Sequence, residues 1–472
     1  MISPSLHPGF VRAACRPRRK LLPAGLTVRT ILLLLAGFVW LIPGFWNSLW
    51  GYAMPAWDFL VLMAALFDGI RLPRADELAV SREWLNTPAL DGETEIELGV
   101  ENHGRIIVEC RLVDDLPAAL IPEPETHRVI AFPRVAARVR YRVQPRERGD
   151  WETGWLYIRY RSPLGLVEKW AMAPLTQTVR VYPALRTSEE QQIFLARSRQ
   201  IDLQLRQARQ RGLGRDFESL REYRQGDDLR DICWTATARR GNPITRQYQS
   251  ERSQPVWIVL DCGRLMRSRV ATGGKQLPAS GPTIRHSKLD HACSAAVALA
   301  QLALFSGDRV GLLAYGQTIQ QRLLPGRGAA HLRQTIELLA QARAEGSEAD
   351  HLLAVTALSR LQPRRALILW ITDLAETAMR PEAIDGAMQL LRRHVLLFVT
   401  MAQPEVNRIA ELRPKDLDEM FLAAAAQELA SRRELLLAQL QEEGALTLDL
   451  DPGVLISTVL NRYLAAKERA LV

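Results

Sequence analysis

The residues best placed to do chemistry in this sequence are carboxylates. Asp261 closes the apolar run PVWIVLD (255–261) and Asp373 closes ALILWITD (366–373). Two acids at strand ends have the oxygen chemistry to share a divalent cation, or to divide the work of a general acid and base. Asp227 and Asp228 form a second pair, although adjacent side chains usually point apart. His286, Asp290, His291 and Cys293 are metal-ligating types close in sequence. His291 and Cys293 stand two apart at a helix start and face different ways, so loop and first-turn residues are the better reading. No nucleophile elbow or H-E-x-x-H is present. Gly273-Gly274-Lys275-Gln276 lacks the first glycine and the Ser/Thr of a phosphate loop.

The elements that must hold Asp261 and Asp373 are strands alternating with helices. Continuous apolar runs at 255–261, 309–316, 366–373, 394–400 and 445–450 predict strands buried on both faces of a mostly parallel sheet. Helical periodicity fills 289–305, 331–344, 383–392, 416–443 and 453–469. In such sheets ligands sit beyond the carboxyl ends of the strands, where both aspartates fall. Residues 267–285, with Gly-Gly and Ser-Gly-Pro, read as a mobile surface loop. Upstream, 94–102, 106–114, 137–145 and 155–163 alternate apolar with charged residues. That period of two predicts a β-sandwich-like module over 76–183 with a structural or docking role.

Length and charge bound the rest. The 472 residues suit about three domains. Of the net +9, Arg12, Arg16, Arg18, Arg19 and Lys20 supply +5 within residues 1–24, so the other 448 carry only +4. This distribution argues against a nucleic-acid surface. Five cysteines without a CxxC pair argue for a reducing compartment and against a disulfide framework. Mean hydropathy of -0.08 excludes a polytopic membrane protein. Yet 30–46 and 52–67 are apolar runs flanked by Arg29 and by Arg71 and Arg74, with Trp40, Trp46, Trp50, Tyr52 and Trp57 around their connection. Aromatic belts and the positive-inside rule predict a two-pass helical hairpin in the plasma (inner) membrane, both ends cytoplasmic. A signal peptide and a buried soluble hairpin are the alternatives, and the second apolar run opposes the first of them.

Residues 206–252 interleave eleven Arg with seven acids among aromatics. This pattern fits an ion-pair network at a packed interface better than a one-signed nucleic-acid face. Within it, Gly214-Arg215-Asp216-Phe217-Glu218-Ser219-Leu220-Arg221-Glu222-Tyr223, then Gly226-Asp227-Asp228-Leu229-Arg230-Asp231-Ile232-Cys233-Trp234, then Ala238-Arg239-Arg240, resembles the signature of the family catalogued as domain of unknown function 58. Cys233 departs from it, a polar residue being commoner there. The resemblance implies a membrane hairpin, a β-module, the Arg/Asp block and a von Willebrand A-like domain. It also implies a partner among MoxR-type AAA+ ATPases and a role in assembly or maturation of other proteins. The von Willebrand A metal site uses D-x-S-x-S, a Thr from another loop and a later Asp. Here the serine positions are Gly263 and Leu265, and no Thr stands in 346–350, so only Asp261 and Asp373 match. The resemblance therefore implies a degenerate metal site. Arg264 either places its guanidinium where the cation would be, paired with Asp261 or Asp373, or simply points to solvent.

The expected chain is multi-domain: a basic N-terminus (1–24), a transmembrane helical hairpin (25–70), the β-module (76–183), the Arg/Asp segment (184–254) and an α/β von Willebrand A-like, Rossmann-type domain (255–472). The expected function is a non-enzymatic, membrane-anchored scaffold or adaptor without cofactor or metal. Arg221, Asp227, Asp228, Arg230, Trp234, Arg239 and Arg264 are its candidate partner-binding residues. Its expected partners are a MoxR-type ATPase, client proteins and membrane lipid, with no nucleic acid. A hydrolase in which Asp227, Asp228, Asp261 or Asp373 converge is the alternative. An extracellular metal-dependent adhesion protein is opposed by both the topology and the metal loop.

Overall fold

The computed structural model describes residues 10–14, 24–44, 52–120, 125–184, 216–223, 232–249, 254–271, 285–374 and 382–468. Its contacts divide the chain into two compact units, 1–182 and 183–472.

The first unit is built on eleven strands: β1 (Val11–Arg12), β2 (Ala24–Leu26), β3 (Leu78–Trp84), β4 (Thr94–Asn102), β5 (Val108–Asp114), β6 (Thr126–Ala131), β7 (Ala136–Val143), β8 (Gly149–Glu152), β9 (Trp155–Arg161), β10 (Val167–Pro174) and β11 (Thr178–Val181). They form antiparallel sheets ordered β1-β3-β4-β7 and β2-β10-β9-β5-β6, with a β11-β8 ribbon. Alternation sends Val80, Ile96, Leu98 and Val100 from one sheet, and Cys110, Leu112, Ile158 and Tyr160 from the other, into a single core. The buried Arg82 is satisfied inside that core. Its Nε donates to Asp114 Oδ2 at 2.9 Å and its Nη1 to Leu175 O at 2.9 Å, while Tyr141 OH donates to Asp114 Oδ2 at 2.6 Å. With its partners in place, a buried charge is tolerated.

The apolar runs are helical. The first is broken into Val28–Ala36, a 3-10 turn Gly37–Trp40 and a turn Leu41–Gly44, and the second is one helix, Ala53–Arg71. Among the described residues only Ala53–Arg71 is long and apolar enough to cross a membrane. Trp57 Nε1 donates to Leu33 O at 2.9 Å, joining the two runs. Both leave large apolar side chains exposed, among them Val28, Leu32, Phe59, Leu60 and Ile70. Asp68, buried near the end of the second helix, accepts from Ser162 Oγ at 2.5 Å and from the N–H groups of Leu166 and Val167 at 3.1 and 3.2 Å. It ties that helix to the β9–β10 turn.

The second unit opens with an antiparallel hairpin, β12 (Asp216–Glu222) and β13 (Ile244–Gln249), with a bulge between Phe217 and Ser219. The helix Trp234–Arg240 lies between them in sequence and ends at Gly241, whose φ of 78° is the left-handed conformation that glycine adopts without strain. Its main sheet contains β14 (Pro255–Asp261), β17 (Arg309–Tyr315), β18 (Ile319–Gly326), β19 (Leu367–Ile371), β20 (Val395–Met401) and β21 (Leu446–Leu450) in the order β18-β17-β14-β19-β20-β21. All pairs are parallel except β17–β18. Val256, Ile258 and Leu260 pack with the helices 288–305, 328–341 and 455–468, while Trp257 and Val259 pack with 351–361, 382–391 and the end of 417–442. Helices thus cover both faces, as parallel strands require. After β14, the short strands β15 (Arg269–Ala271) and β16 (Arg285–Ser287) pair as an antiparallel ribbon, and 272–284 lie outside the described residues. The chain runs outward from β14 through β17 to β18, then returns to start β19 on the other side. The strand order therefore reverses between β14 and β19, the two strands that lead to Asp261 and Asp373.

Candidate functional site at the strand ends

The site begins with helix 288–305. Ser287 caps it reciprocally with Asp290: Asp290 N–H donates to Ser287 Oγ at 3.1 Å and Ser287 N–H to Asp290 Oδ2 at 3.1 Å. This cap sets Lys288 in the first turn, the positive end of the helix dipole, where an ammonium is disfavoured unless an anion compensates. Asp373 supplies that anion. Lys288 Nζ is salt-bridged to Asp373 Oδ2, and both side chains are almost fully buried. From the opposite helical layer, Arg433 Nη1 reaches Asp373 Oδ1 at 3.0 Å. Arg433 also donates to Asp449 Oδ1 at 2.9 Å and Oδ2 at 3.2 Å, and to Met401 O at 2.8 Å. One carboxylate thus pins the layers on both faces of the sheet together at its carboxyl edge.

Asp261, 2% exposed, is held differently. Gly263 N–H donates to its Oδ1 at 2.7 Å and Thr372 Oγ1 to its Oδ2 at 2.6 Å. Burial raises its pKa, against the opposing pull of the His351 ring and the hydrogen bonds from Thr372 and Gly263. Behind it, Trp370 Nε1 donates to Tyr315 OH at 2.8 Å, and Tyr315 OH lies 2.8 Å from His351 Nδ1. Burial pushes the Tyr315 phenol well up, so it stays protonated. Asp261, Gly263, Arg264, Glu348, His351 and Asp373 line one cleft of about 780 Å³.

The donor set of this cleft does not fit a divalent cation. Leu265 and Gly263 bring no side-chain oxygen, and Asp373 is engaged by two protein cations. The 262–264 loop is also closed against 345–349: Arg264 N–H donates to Ser347 O at 2.8 Å and Glu345 N–H to Cys262 O at 2.7 Å. A Cβ at Gly263 would stand 2.7 Å from Ala349 N, so a serine there meets backbone. Nor does an acid–base pair emerge. Both oxygens of Asp261 accept hydrogen bonds from the protein, and Asp373 adds Leu374 N–H at 3.0 Å to its two ion pairs.

Of the two readings of Arg264, the structure takes the solvent-facing one and not the pairing with Asp261 or Asp373. Its guanidinium points outward, its side chain 57% exposed, and pairs with Glu348 at 3.0 Å. The backbone bond to Ser347 and the 3-10 turn Arg264–Arg267 carry it away from both aspartates. Lys288 and Arg433 are the cations that pair with Asp373. Of the other candidate residues, Asp227, Asp228 and Arg230 lie outside the described residues. Arg221 sits on β12; Trp234, 71% exposed, and the exposed Arg239 sit on the 234–240 helix; none of the three lines the cleft. His286 and His291 meet edge to face at 5.8 Å, Asp290 is the helix cap, and Cys293 lies buried against Leu339 O at 3.8 Å. Among the described residues no group of three or more His, Cys, Asp or Glu is arranged for a metal.

Comparison with known proteins finds a family to which part of the chain is similar. Residues 219–412 match the model described as "Protein of unknown function DUF58". Over 198 residues the chain is 30% identical to uncharacterized proteins of Mycobacterium tuberculosis (strain H37Rv) and Mycobacterium bovis, covering 41% of this chain. The match spans 56% of the length of those relatives, about half. A crystal structure of an uncharacterized membrane spanning protein from Vibrio fischeri aligns with 39% of this chain and 94% of its own, at 17% identity and a TM-score of 0.17. A β-glucosidase from Listeria innocua aligns with 22% of this chain and 16% of its own, at 12% identity and a TM-score of 0.12. Scores this low carry no functional argument.

Proposed function

We propose that this protein is a membrane-anchored scaffold whose sheet-top cleft recognises a protein partner without a metal ion. The convergence of Lys288 and Arg433 on Asp373 carries this reading. The crevice keeps the position where open α/β sheets bind ligands, but its central charge is met by the chain's own cations. A preset, fully paired floor gives a rigid surface. The rim then offers exposed groups, the Arg264–Glu348 pair foremost, with the steering and register that charge complementarity provides. The sheet order and the strand-end aspartates support a von Willebrand A-like domain with a filled metal seat. A MoxR-type AAA+ ATPase is the partner that the family resemblance implies.

The anchor in this proposal is the pair of apolar helical runs, with Ala53–Arg71 as the principal span and the rest of the chain on the cytoplasmic side. Tethering raises the effective concentration of scaffold and partner at one surface. A hydrolase is the weaker reading, because the hydrogen-bonding capacity of Asp261 and Asp373 is taken up within the protein. Crosslinking and recovery from native membranes tests the scaffold reading with wild type, Arg264→Glu and Glu348→Arg. Loss of the same crosslinked partner in both variants is expected; recovery of unchanged partners removes the cleft rim from recognition.

A further inference from the structure

The outward face of the β2-β10-β9-β5-β6 sheet sets like charges side by side. Strand register places Arg128, Arg111 and Arg159 abreast on β6, β5 and β9. The next row places Glu109 opposite Arg161, and Arg161 opposite Glu168. Arg159 forms a two-pronged pair with Glu168 at 2.7 and 2.6 Å, and Arg161 holds Glu109 at 2.8 and 2.7 Å. Arg111 and Arg128 have no carboxylate within ion-pair distance among the described residues. Like charges directly opposed destabilise a sheet, so this row works against the fold unless an anion meets it.

A cleft of about 250 Å³ opens over this face, lined by Arg29, Arg111, Arg159 and Arg161 with Glu109 and Glu168. Four guanidinium groups against two carboxylates leave it two charges positive. Arg29 is in the first turn of the first apolar helix, and its Nη1 donates to Leu164 O at 3.5 Å. Thr27 Oγ1 donates to Gly165 O and Thr30 Oγ1 to Leu166 O, each at 2.5 Å, which fixes the helix start beside the cleft. The positive end of the helix dipole adds in the same sense. Exposed apolar side chains begin at once, with Val28, Ile31 and Leu32 on the helix and Leu164 and Trp170 on the module. A basic cleft at the root of an apolar helix has the chemistry of a headgroup site: guanidinium forks match phosphate oxygens, and a neighbouring Trp suits the membrane interface.

We propose that this cleft binds the phosphate of an anionic phospholipid headgroup. The inference rests on the membrane reading above and adds the lipid class to it. Native mass spectrometry of the full chain in detergent, with phosphatidylglycerol or phosphatidylcholine added, tests it. Retention of phosphatidylglycerol at least about five-fold over phosphatidylcholine is expected, falling to parity in Arg29→Gln/Arg111→Gln. Among the described residues neither side chain has a carboxylate partner, so the variant breaks no ion pair there; an unchanged thermal melt confirms its fold. Equal retention of the two lipids by wild type, or an undiminished preference in the variant, overturns the proposal. Displacement of phosphatidylglycerol by glycerol phosphate at equal concentration assigns the cleft to a soluble phosphate and overturns the lipid source. A carbonate wash of native membranes reads the anchor separately. Release of the chain rejects the membrane reading, whereas retention with no lipid preference rejects only the headgroup site.

Discussion

Lys288 and Asp373 stand 85 residues apart in sequence and meet in a buried salt bridge at the carboxyl edge of the sheet. Removing the lysine leaves a buried carboxylate with Arg433 alone on that side. Breaking one partner of such a pair costs about 3–5 kcal/mol. Lys288→Met should therefore lower the unfolding free energy by that order in denaturant titration. Arg433→Met should do the same, and the double variant should lose less than the sum, because the residues share Asp373.

Gly263→Ser restores an oxygen at the first serine position of the metal loop, but not the site. The added Cβ would stand 2.7 Å from Ala349 N and 2.9 Å from Ala349 Cβ. Overpacking of this kind costs about 1–3 kcal/mol. A lowered melting temperature with no gain on adding Mg²⁺ is the expected result.

Glu345, which holds the cleft-lining Gln317 through its N–H, gives the segment beside the cleft a pH dependence. The Gln317 N–H first, then the Gln320 side chain, hold its carboxyl below the usual range. A depressed folded pKa contributes stability that is present above the unfolded value of about 4.3 and lost as pH falls through the folded one. Thermal melts of wild type and Glu345→Gln should differ near neutral pH and converge as the pH falls below the usual carboxylate range.

Orientation is tested by an accessible thiol. Cys233 and Cys262 are buried, so neither reports on topology in the folded chain. Val454→Cys, at a position 49% exposed, should react in intact cells only with a membrane-permeant maleimide. Labelling by an impermeant reagent would reverse the proposed orientation.

The α/β unit was legible where periodicity decides. PVWIVLD is a strand from Pro255 to Asp261, and the helix read from Leu289 to Phe305 starts one residue earlier, at Lys288. The short helix His351–Leu361 and the edge strand Ile319–Gly326 were not read, because polar residues interrupt their patterns. Asp261 and Asp373 were found at the site because each ends an apolar run. Lys288 was missed because a lysine in a first turn looks solvated; only its place inside a Ser-x-x-Asp capping box and before a buried stripe hints otherwise. Arg433 carried a clearer signal. It shares one helical stripe with Leu436, Leu437 and Leu440, which pack on the core. The sequence left the direction of Arg264 open because it depends on the 345–349 segment, a long-range contact that spacing does not encode.

The central claim is that protein cations occupy the seat a divalent ion would take above the sheet. Calorimetric titration of the purified full chain with Mg²⁺ tests it most directly. The account predicts no saturable binding at affinities tighter than about 1 mM, where binding is worth only about 4 kcal/mol. A one-to-one site of micromolar affinity that disappears in Asp261→Asn would contradict it.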